Sequence, residues 1–271
     1  MKKYKELESE DIGYASIGNK PDLDTNYLLK EWLYSKAMSL SEYARNPHKL
    51  SVITPSEEDH ETTNKLANDL DDHYNNPFHD PSYVGKKFLA FGRYTVNSKS
   101  VNKGLIEAYK YKEPLDLNPS IHNEVSGIDK ALSAHIKPAP FDFHVYTGIG
   151  GNLNVFQHRN TKSNRMFFPA YTSTTPLPYI ADKFSKKSSD KPDFSEILRI
   201  HIPKGSEYGT HIGSAGELSH EAEFLLHRGT LLQYTHEPRL VRLEHPQFKE
   251  PKLVMVHDAR IIRQTRSLKS K

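Results

Sequence analysis

The sequence has 271 residues, which allow one large domain or two modest ones. Hydrophobic residues make up 36% of it and charged residues 26%, a composition that is typical of a polar globular chain with an ordinary core. No apolar run reaches the roughly 18 residues of a membrane span, and the start, MKKYKELESE, lacks the apolar stretch of a secretory signal, so we expect neither membrane insertion nor signal-dependent export. The sequence contains no cysteine, which excludes disulfides, thiolate zinc sites and a cysteine nucleophile.

Two helices are predicted in the N-terminal part of the chain. Residues 25–45 carry apolar side chains at helical spacing. A second helix follows Ser56, which forms a capping-box pattern with Asp59, and its apolar face contains Leu66, Leu70 and Tyr74. The prolines of NNPFHDPSY then predict a boundary near residue 80.

The charge changes sign at this boundary. Residues 1–80 contain 9 Lys and Arg against 16 Asp and Glu, a net charge of −7, whereas residues 81–271 contain 28 against 18, a net charge of +10. We interpret residues 1–80 as an acidic helical extension with a solvated acidic face, and residues 81–271 as a separate basic domain.

The basic half begins with helices and continues with strands. Helical spacing extends through residues 85–140, where Pro138 and Pro140 end it. After residue 141, the runs FDFHVYTGI, MFFPAYTSTT, SEILRIHIPKG, EAEFLLHRGTLLQY, RLVRLEH and KLVMVHDARII are β-rich and continue to about residue 265. One helix, near residues 178–184, interrupts them. This order predicts an α+β fold.

Two familiar motifs are incomplete. The string from His220 to Phe224 begins like the zinc motif H-E-x-x-H, but its fifth residue is Phe224, so we expect no metal site. The glycines of TGIGGN complete no phosphate-binding pattern, and we interpret them as a flexible turn.

Glu221 and Glu223 form a pair of a different kind. If EAEFLL is a strand, both carboxylates lie on one face, about 6.6 Å apart along the chain. The two carboxylates of such a pair can have different roles, because one can stabilise positive charge while the other accepts a proton. If these two residues are considered without the rest of the sequence, the alternative interpretation is that they lie on an ordinary exposed strand face with no catalytic role.

Four strings in this order give the pair a context. They are VYTG, YTSTT followed by ADKF, IHIPKG, and EAEFLLHRG, and with the preceding helices they cover roughly residues 85–235. Their combination and spacing resemble the mono-ADP-ribosyltransferases of the Arg-Ser-Glu type. The resemblance implies a helical lobe followed by two packed, antiparallel-rich sheets with NAD in the cleft between them.

The resemblance also implies roles for individual residues. Glu223 would stabilise the cationic ribose that forms when nicotinamide leaves NAD, and Ser173 would orient Glu223. Glu221 would receive the proton of the acceptor, and Glu at this position goes with arginine as the acceptor. The residues expected to contact NAD are Tyr146, Thr147, Gly148, Thr174, Thr175 and Phe184.

The sequence departs from the family pattern at Thr147, where the family carries an Arg that holds the NAD phosphates. We expect a nearby cation to replace it, and the candidates are Arg159, Arg165, Lys186 and Lys187. A different mode of NAD binding and a weakened site are the alternatives. Thr at this position also resembles bacteriophage members related to the virion Alt proteins.

The leading functional hypothesis is therefore an NAD-dependent protein-arginine mono-ADP-ribosyltransferase, with a target protein as partner. An NAD glycohydrolase and a non-catalytic binding module with this fold are the alternatives. Nucleic-acid binding by the basic C-terminal stretch DARIIRQTRSLKSK is less favoured, because this stretch lacks interleaved aromatic residues and is typical of a solvated tail. We expect action in a reducing cytosol, reached through a virion or a signal-independent secretion system, with host transcription or translation machinery as one class of target.

Overall fold

The protein is described here from a computed structural model, which defines residues 52–54, 57–75, 81–111, 119–149, 165–185, 195–213, 219–236, 238–245 and 248–264. The helices of this part are α1 (Glu57–Asn75), α2 (Pro81–Tyr111), α3 (Pro119–His135) and α4 (Pro178–Phe184), with a 3-10 helix at Ser219–Glu221. Three predicted helical segments correspond to these helices: the one after Ser56 to α1, residues 85–140 to α2 and α3, and the one near residues 178–184 to α4. The helix predicted at residues 25–45 lies outside the described residues.

The strands are β1 (Val52–Thr54), β2 (Phe143–Gly148), β3 (Arg165–Phe168), β4 (Thr172–Thr174), β5 (Ser195–Ile202), β6 (Gly209–His211), β7 (Phe224–Leu226), β8 (Thr230–Tyr234), β9 (Arg239–Leu243) and β10 (Lys252–Gln264). Helices followed mainly by strands confirm the predicted α+β class. Two predicted runs are divided in the structure. The run MFFPAYTSTT forms β3 and β4, and EAEFLLHRGTLLQY becomes a strand only at Phe224.

The strands form two sheets. The larger sheet has the order β1-β9-β10-β5-β2, with β8 paired to the second half of β10 and β3 paired to β8. The smaller sheet has the order β4-β7-β6 and is antiparallel. Backbone hydrogen bonds of 2.7 and 2.8 Å between Tyr146 and Thr175 join the two sheets. The end of β2 therefore lies beside the end of β4.

The main core lies between these sheets. Alternating residues of β5, among them Leu198 and Ile200, pack in one cluster with Phe224 of β7. Helix α1 completes the cluster with Leu70 and Tyr74, which are 0% and 3% exposed. Burial of such side chains stabilises the fold by about 1.5 to 3 kcal/mol each.

Helix α1 lies before the boundary that we expected near residue 80, and its apolar face packs on the sheets. Helix α1 shares the core of the sheets, and β1 pairs in parallel with β9. The acidic face is also not wholly solvated, because Asp71 lies 3.2 Å from Nδ1 of the buried His211 on β6. The apolar face of α1 thus shares its hydrophobic core with the sheets, and the domain boundary near residue 80 stays a prediction.

A second core joins α2 and α3 to the smaller sheet. It contains Phe91, Tyr94 and Val101 from α2, and it reaches Tyr171 and Leu225 beside and within the smaller sheet. Within the described part of the chain, no helix is both long enough and apolar enough to cross a membrane. The helical lobe thus packs directly against the smaller sheet, whose strand β4 carries Ser173.

Candidate active site

Glu221 and Glu223 do not share a strand face, contrary to the sequence prediction. Glu221 ends the 3-10 helix, and β7 begins only after Glu223. Between them, the buried Ala222 has a φ of 47°, in the left-handed region that non-glycine residues rarely adopt. The carbonyl of Glu223 then accepts a 2.8 Å hydrogen bond from the Ile212 amide. A left-handed turn, which hydrophobic alternation cannot reveal, therefore sets the relation between the two carboxylates.

Glu223 is buried, and its surroundings control its protonation. Desolvation by burial raises the pKa of its carboxyl, a hydrogen bond from Ser173 lowers it, and the negative charge of Glu221 raises it, with a result of about 7. The interaction with Glu221 shows that the two carboxylates influence each other despite the turn between them. Glu223 is consequently a carboxyl that changes charge near neutral pH.

Glu221 is more accessible than Glu223. Its partial burial raises the pKa of its carboxyl, while the neighbouring His220 and Lys183 lower it. Its backbone carbonyl accepts a 2.7 Å hydrogen bond from Thr175 Oγ1. The backbone of Glu221 is thus anchored, while its side chain is partly exposed.

Ser173 lies on β4 and connects Glu223 to the helical lobe. Its hydroxyl hydrogen-bonds Glu223, and its Oγ lies 3.3 Å from Oη of the buried Tyr94 on α2. Asn102, two turns further along α2, donates a 3.1 Å hydrogen bond to the same Tyr94 oxygen. Sequence reasoning missed Tyr94 and Asn102, because a tyrosine on the buried face of a helix has no signal beyond its hydrophobic spacing.

The two threonines that follow Ser173 make structural contacts. Thr174 Oγ1 donates to the carbonyl of Phe224 at 2.5 Å. Thr175 Oγ1 donates to Glu221 and accepts a 3.1 Å hydrogen bond from the amide of Leu177, just before α4. Their side chains therefore fix the strand and the turn beside the catalytic pair, whereas the sequence reasoning placed them among the NAD contacts.

The end of β2 has a packing role that the sequence did not show. A Cβ on Gly148 would lie 2.5 Å from the carbonyl oxygen of Ala181 and 2.5 Å from the amide nitrogen of Ser185, so only glycine permits this approach of α4. Thr147 is buried opposite Leu198 on β5. The neighbouring Tyr146 hydrogen-bonds Arg199. Because alternate residues of a strand face opposite sides of the sheet, Tyr146 and Thr147 cannot both face the same cleft.

Phe184, the last residue of α4, is 55% exposed and lies next to Gly148. An exposed aromatic ring at this place is available to stack on a planar ligand. Of the cations proposed to replace the missing Arg, Arg165 lies on β3, four strands from Thr147, a separation of roughly 19 Å across the sheet. The structure does not bring Arg165 to Thr147. Arg159, Lys186 and Lys187 lie outside the described residues.

Behind the site, a buried ion pair links the lobe to the sheet. Arg228 donates to both carboxylate oxygens of Asp129 on α3, at 2.7 to 3.2 Å. The hydroxyl of Tyr171 donates to the same carboxylate at 2.5 Å. The sequence showed Arg228 only as part of the string RG, since its partner is 99 residues away.

The arrangement supports acid-base and electrostatic chemistry on a ligand that carries developing positive charge. It provides a buried carboxylate, a hydroxyl that orients it, a second and more accessible carboxylate, and an exposed ring. In the part of the chain that the structure describes, no group of three or more His, Cys, Asp and Glu residues is arranged to hold a metal ion.

Comparison with known proteins identifies this architecture. The sequence model of the family "ADP-ribosyltransferase exoenzyme" matches residues 86–255, well over half of the chain. Among solved structures, the fold is similar to that of Plx2a, an ADP-ribosyltransferase toxin from Paenibacillus larvae, with 16% identity, a TM-score of 0.50, and coverage of 75% of this chain and 96% of Plx2a. A search of curated proteins by sequence finds no match.

The fold is also similar to that of the ADP-ribosyltransferase Vis in complex with the M6 inhibitor. The identity is 16%, the TM-score is 0.51, and the alignment covers 78% of this chain and 87% of Vis, a toxin from Vibrio splendidus. At this identity, the structural likeness shows the fold. The family match spans Ser173, Glu221 and Glu223. The chain belongs to the ADP-ribosyltransferase exoenzyme family, and its substrate for mono-ADP-ribosylation is NAD.

Proposed function

We propose that this chain is a protein-arginine mono-ADP-ribosyltransferase of the Arg-Ser-Glu type that releases nicotinamide from NAD. One observation carries the proposal. A buried carboxylate, Glu223, accepts a hydrogen bond from Ser173, and a more accessible carboxylate, Glu221, lies two residues before it. The first carboxylate suits the ribose of NAD, and the second suits a cationic acceptor that arrives from solvent.

In the first step, the bond between C1′ of the ribose and the nicotinamide nitrogen breaks, and its electron pair stays with nicotinamide. The ribose then carries oxocarbenium-like positive charge. Glu223, in its ionised form, stabilises this charge through the 2′-hydroxyl more strongly in the transition state than in the ground state. Ser173 holds the carboxylate in place through its hydrogen bond.

In the second step, a guanidinium nitrogen of the acceptor forms a bond to C1′, and its proton passes to Glu221. Partial burial raises the pKa of Glu221 and therefore favours proton acceptance. A guanidinium is cationic, so the negative charge of Glu221 also attracts it. These two properties favour arginine as the acceptor.

The rest of NAD lies along α4 and the end of β2 in this proposal. Phe184 stacks beside the nicotinamide, and the backbone at Gly148 lines the same place. Lys186 and Lys187, which follow Ser185 directly in the sequence, supply the charge for the pyrophosphate that Thr147 lacks. In this proposal the chain belongs to the phage Alt-related branch, which Thr147 resembles. It acts in a reducing cytosol, which it reaches through a virion or a signal-independent secretion system.

The test compares nicotinamide release and acceptor labelling with agmatine as the acceptor. We expect Glu223→Gln to abolish both and Glu221→Gln to abolish labelling while slow hydrolysis of NAD continues. Glu250→Gln, at an exposed position, is the matched control and should change neither. Nicotinamide release that agmatine neither stimulates nor traps would instead identify an NAD glycohydrolase.

The protein target needs a separate experiment. A host lysate is incubated with the enzyme and labelled NAD, and modified peptides are located by mass spectrometry. Labels on arginine that disappear with Glu223→Gln support the proposal. Labels confined to other residue types contradict the arginine specificity.

A further inference from the structure

A continuous line of side-chain hydrogen bonds leads from α2 to Glu223. Asn102 Nδ2 donates to Tyr94 Oη at 3.1 Å, Tyr94 Oη lies 3.3 Å from Ser173 Oγ, and Ser173 bonds Glu223. Tyr94 is 1% exposed. Because water has almost no access to its hydroxyl, these contacts govern where its proton lies. We call this line the Asn102–Tyr94–Ser173 relay.

The number of protons fixes the direction of the relay when Glu223 is ionised. A serine or tyrosine hydroxyl has one proton to donate, and a carboxylate can only accept. Ser173 therefore donates to Glu223, and its oxygen accepts from Tyr94. Tyr94 in turn accepts from the amide of Asn102, which matches the contact observed. Every proton in the relay points towards the carboxylate.

When Glu223 gains a proton, it becomes a donor, and the direction can reverse. Ser173 then donates to Tyr94, and Tyr94 needs an acceptor at the far end of the relay. Asn102 Oδ1 is buried and has no hydrogen-bond partner among the residues that the structure describes. A half-turn of the amide places this oxygen where Nδ2 now lies, since the two ends of an amide have the same shape.

We propose that Asn102 and Tyr94 are positioning residues that hold Ser173 against Glu223 and that reverse their hydrogen bonds when Glu223 changes its protonation state. The inference rests on the proposed role of Glu223 in cleaving NAD. An asparagine suits the end of the relay because it can terminate both directions, whereas an aspartate or a lysine can terminate only one of them.

The charged neighbours of the relay have partners of their own. Glu221 faces Glu223, and His220 and Lys183 face Glu221. On the other side, the Tyr94 ring packs edge-on against Tyr171 at 5.7 Å. The hydroxyl of Tyr171 donates to Asp129, which is paired with Arg228. Glu223 is thus the group in contact with the relay that gains and loses a proton. It is also the carboxylate that acts in the proposed mechanism.

Tyr94→Phe removes the central hydroxyl and keeps the ring that packs against Tyr171. We expect kcat to fall about three- to tenfold, with an unchanged KM for NAD, because one hydrogen bond that holds Ser173 is lost. The pKa of Glu223 should rise, because Ser173 supports the ionised form less well. In a Ser173→Ala background, the same substitution should have no further effect on kcat. A full effect there, or none in the otherwise unchanged protein, overturns the proposal.

Asn102→Asp changes the end of the relay into a group that only accepts. It should favour the neutral form of Glu223 and move the acid limb of kcat to higher pH by roughly one pH unit. In the Tyr94→Phe background, this movement should vanish, because the connection is broken. A movement that persists there arises from charge acting through space and refutes the relay. Asn97→Asp, an exposed position on the same helix, is the matched control and should leave the pH profile unchanged.

A second readout needs no turnover. For each variant, urea unfolding is measured across pH with and without Glu223→Gln, and the difference between the two curves gives the pKa of Glu223. Asn102→Asp should raise this pKa in the otherwise unchanged protein and should cause no further rise in the Tyr94→Phe background. These two results support the relay even if the protein fails to transfer ADP-ribose. Conversely, transfer activity together with an unmoved pKa in both variants overturns the relay and leaves the proposed function intact.

Discussion

Replacing Glu223 by Gln should make the protein more stable while it abolishes catalysis. In the folded protein, burial raises the pKa of this carboxyl from 4.5 to about 7. Between these two values the folded state holds a proton that the unfolded state has lost, so stability falls as pH rises through this window. A difference of about 2.5 pH units corresponds to about 3 kcal/mol of unfolding free energy, fully lost above pH 7. Gln cannot ionise and escapes this loss.

The assay is urea unfolding at pH 5 and pH 8 for the unchanged protein and for Glu223→Gln. The unchanged protein should lose about 2 to 3 kcal/mol more than the variant between these two pH values. Glu250→Gln, an exposed substitution of the same kind, should follow the unchanged protein. If the stabilities of Glu223→Gln and the unchanged protein change equally between pH 5 and pH 8, the folded environment does not disfavour the ionised form of Glu223, and the reasoning is refuted.

Three further predictions concern the frame around the site. Gly148→Ala should raise the KM for NAD and lower the melting temperature, because its Cβ meets the backbone of α4 at 2.5 Å; unchanged steady-state kinetics would show that α4 can move without consequence. Arg228→Ala leaves the carboxylate of Asp129 buried without its cation and should destabilise the protein by about 3 to 5 kcal/mol in urea unfolding, whereas the double variant with Asp129→Ala should recover part of this loss. Leu70→Ala should cost about 2 to 5 kcal/mol, and a loss below about 0.5 kcal/mol would mean that α1 is not part of the main core.

The sequence predicted the order of elements better than their packing. Helical spacing identified Leu70 and Tyr74 as one apolar face, but it could not show that Phe224, 150 residues later, is among their partners. The prolines after α1 therefore suggested a boundary, although the core continues across it. Periodicity describes which face of an element is buried, whereas the partner of that face depends on contacts between distant parts of the chain.

The strings of the catalytic sheet indicated the residues that the structure gathers at the site. Ser173 and Glu223 are hydrogen-bonded, and Glu221 lies close enough for its negative charge to raise the pKa of Glu223. The left-handed conformation of Ala222 could not be predicted, because alanine gives no sign of a positive φ. The contact of Tyr94 with Ser173 could not be predicted either, because the two residues are 79 positions apart and the spacing around Tyr94 is typical of any buried helix face.

The left-handed turn at Ala222 divides the two carboxylates between different kinds of backbone. Glu223 is fixed to the smaller sheet through the amide of Ile212, whereas Glu221 belongs to a short 3-10 helix that is tied down through its carbonyl. Substitution of the exposed His220 can therefore change the surface next to Glu221 while the backbone that fixes Glu223 stays in place. Variants with new acceptors should be sought at this position, with both carboxylates and the strand that follows left as they are.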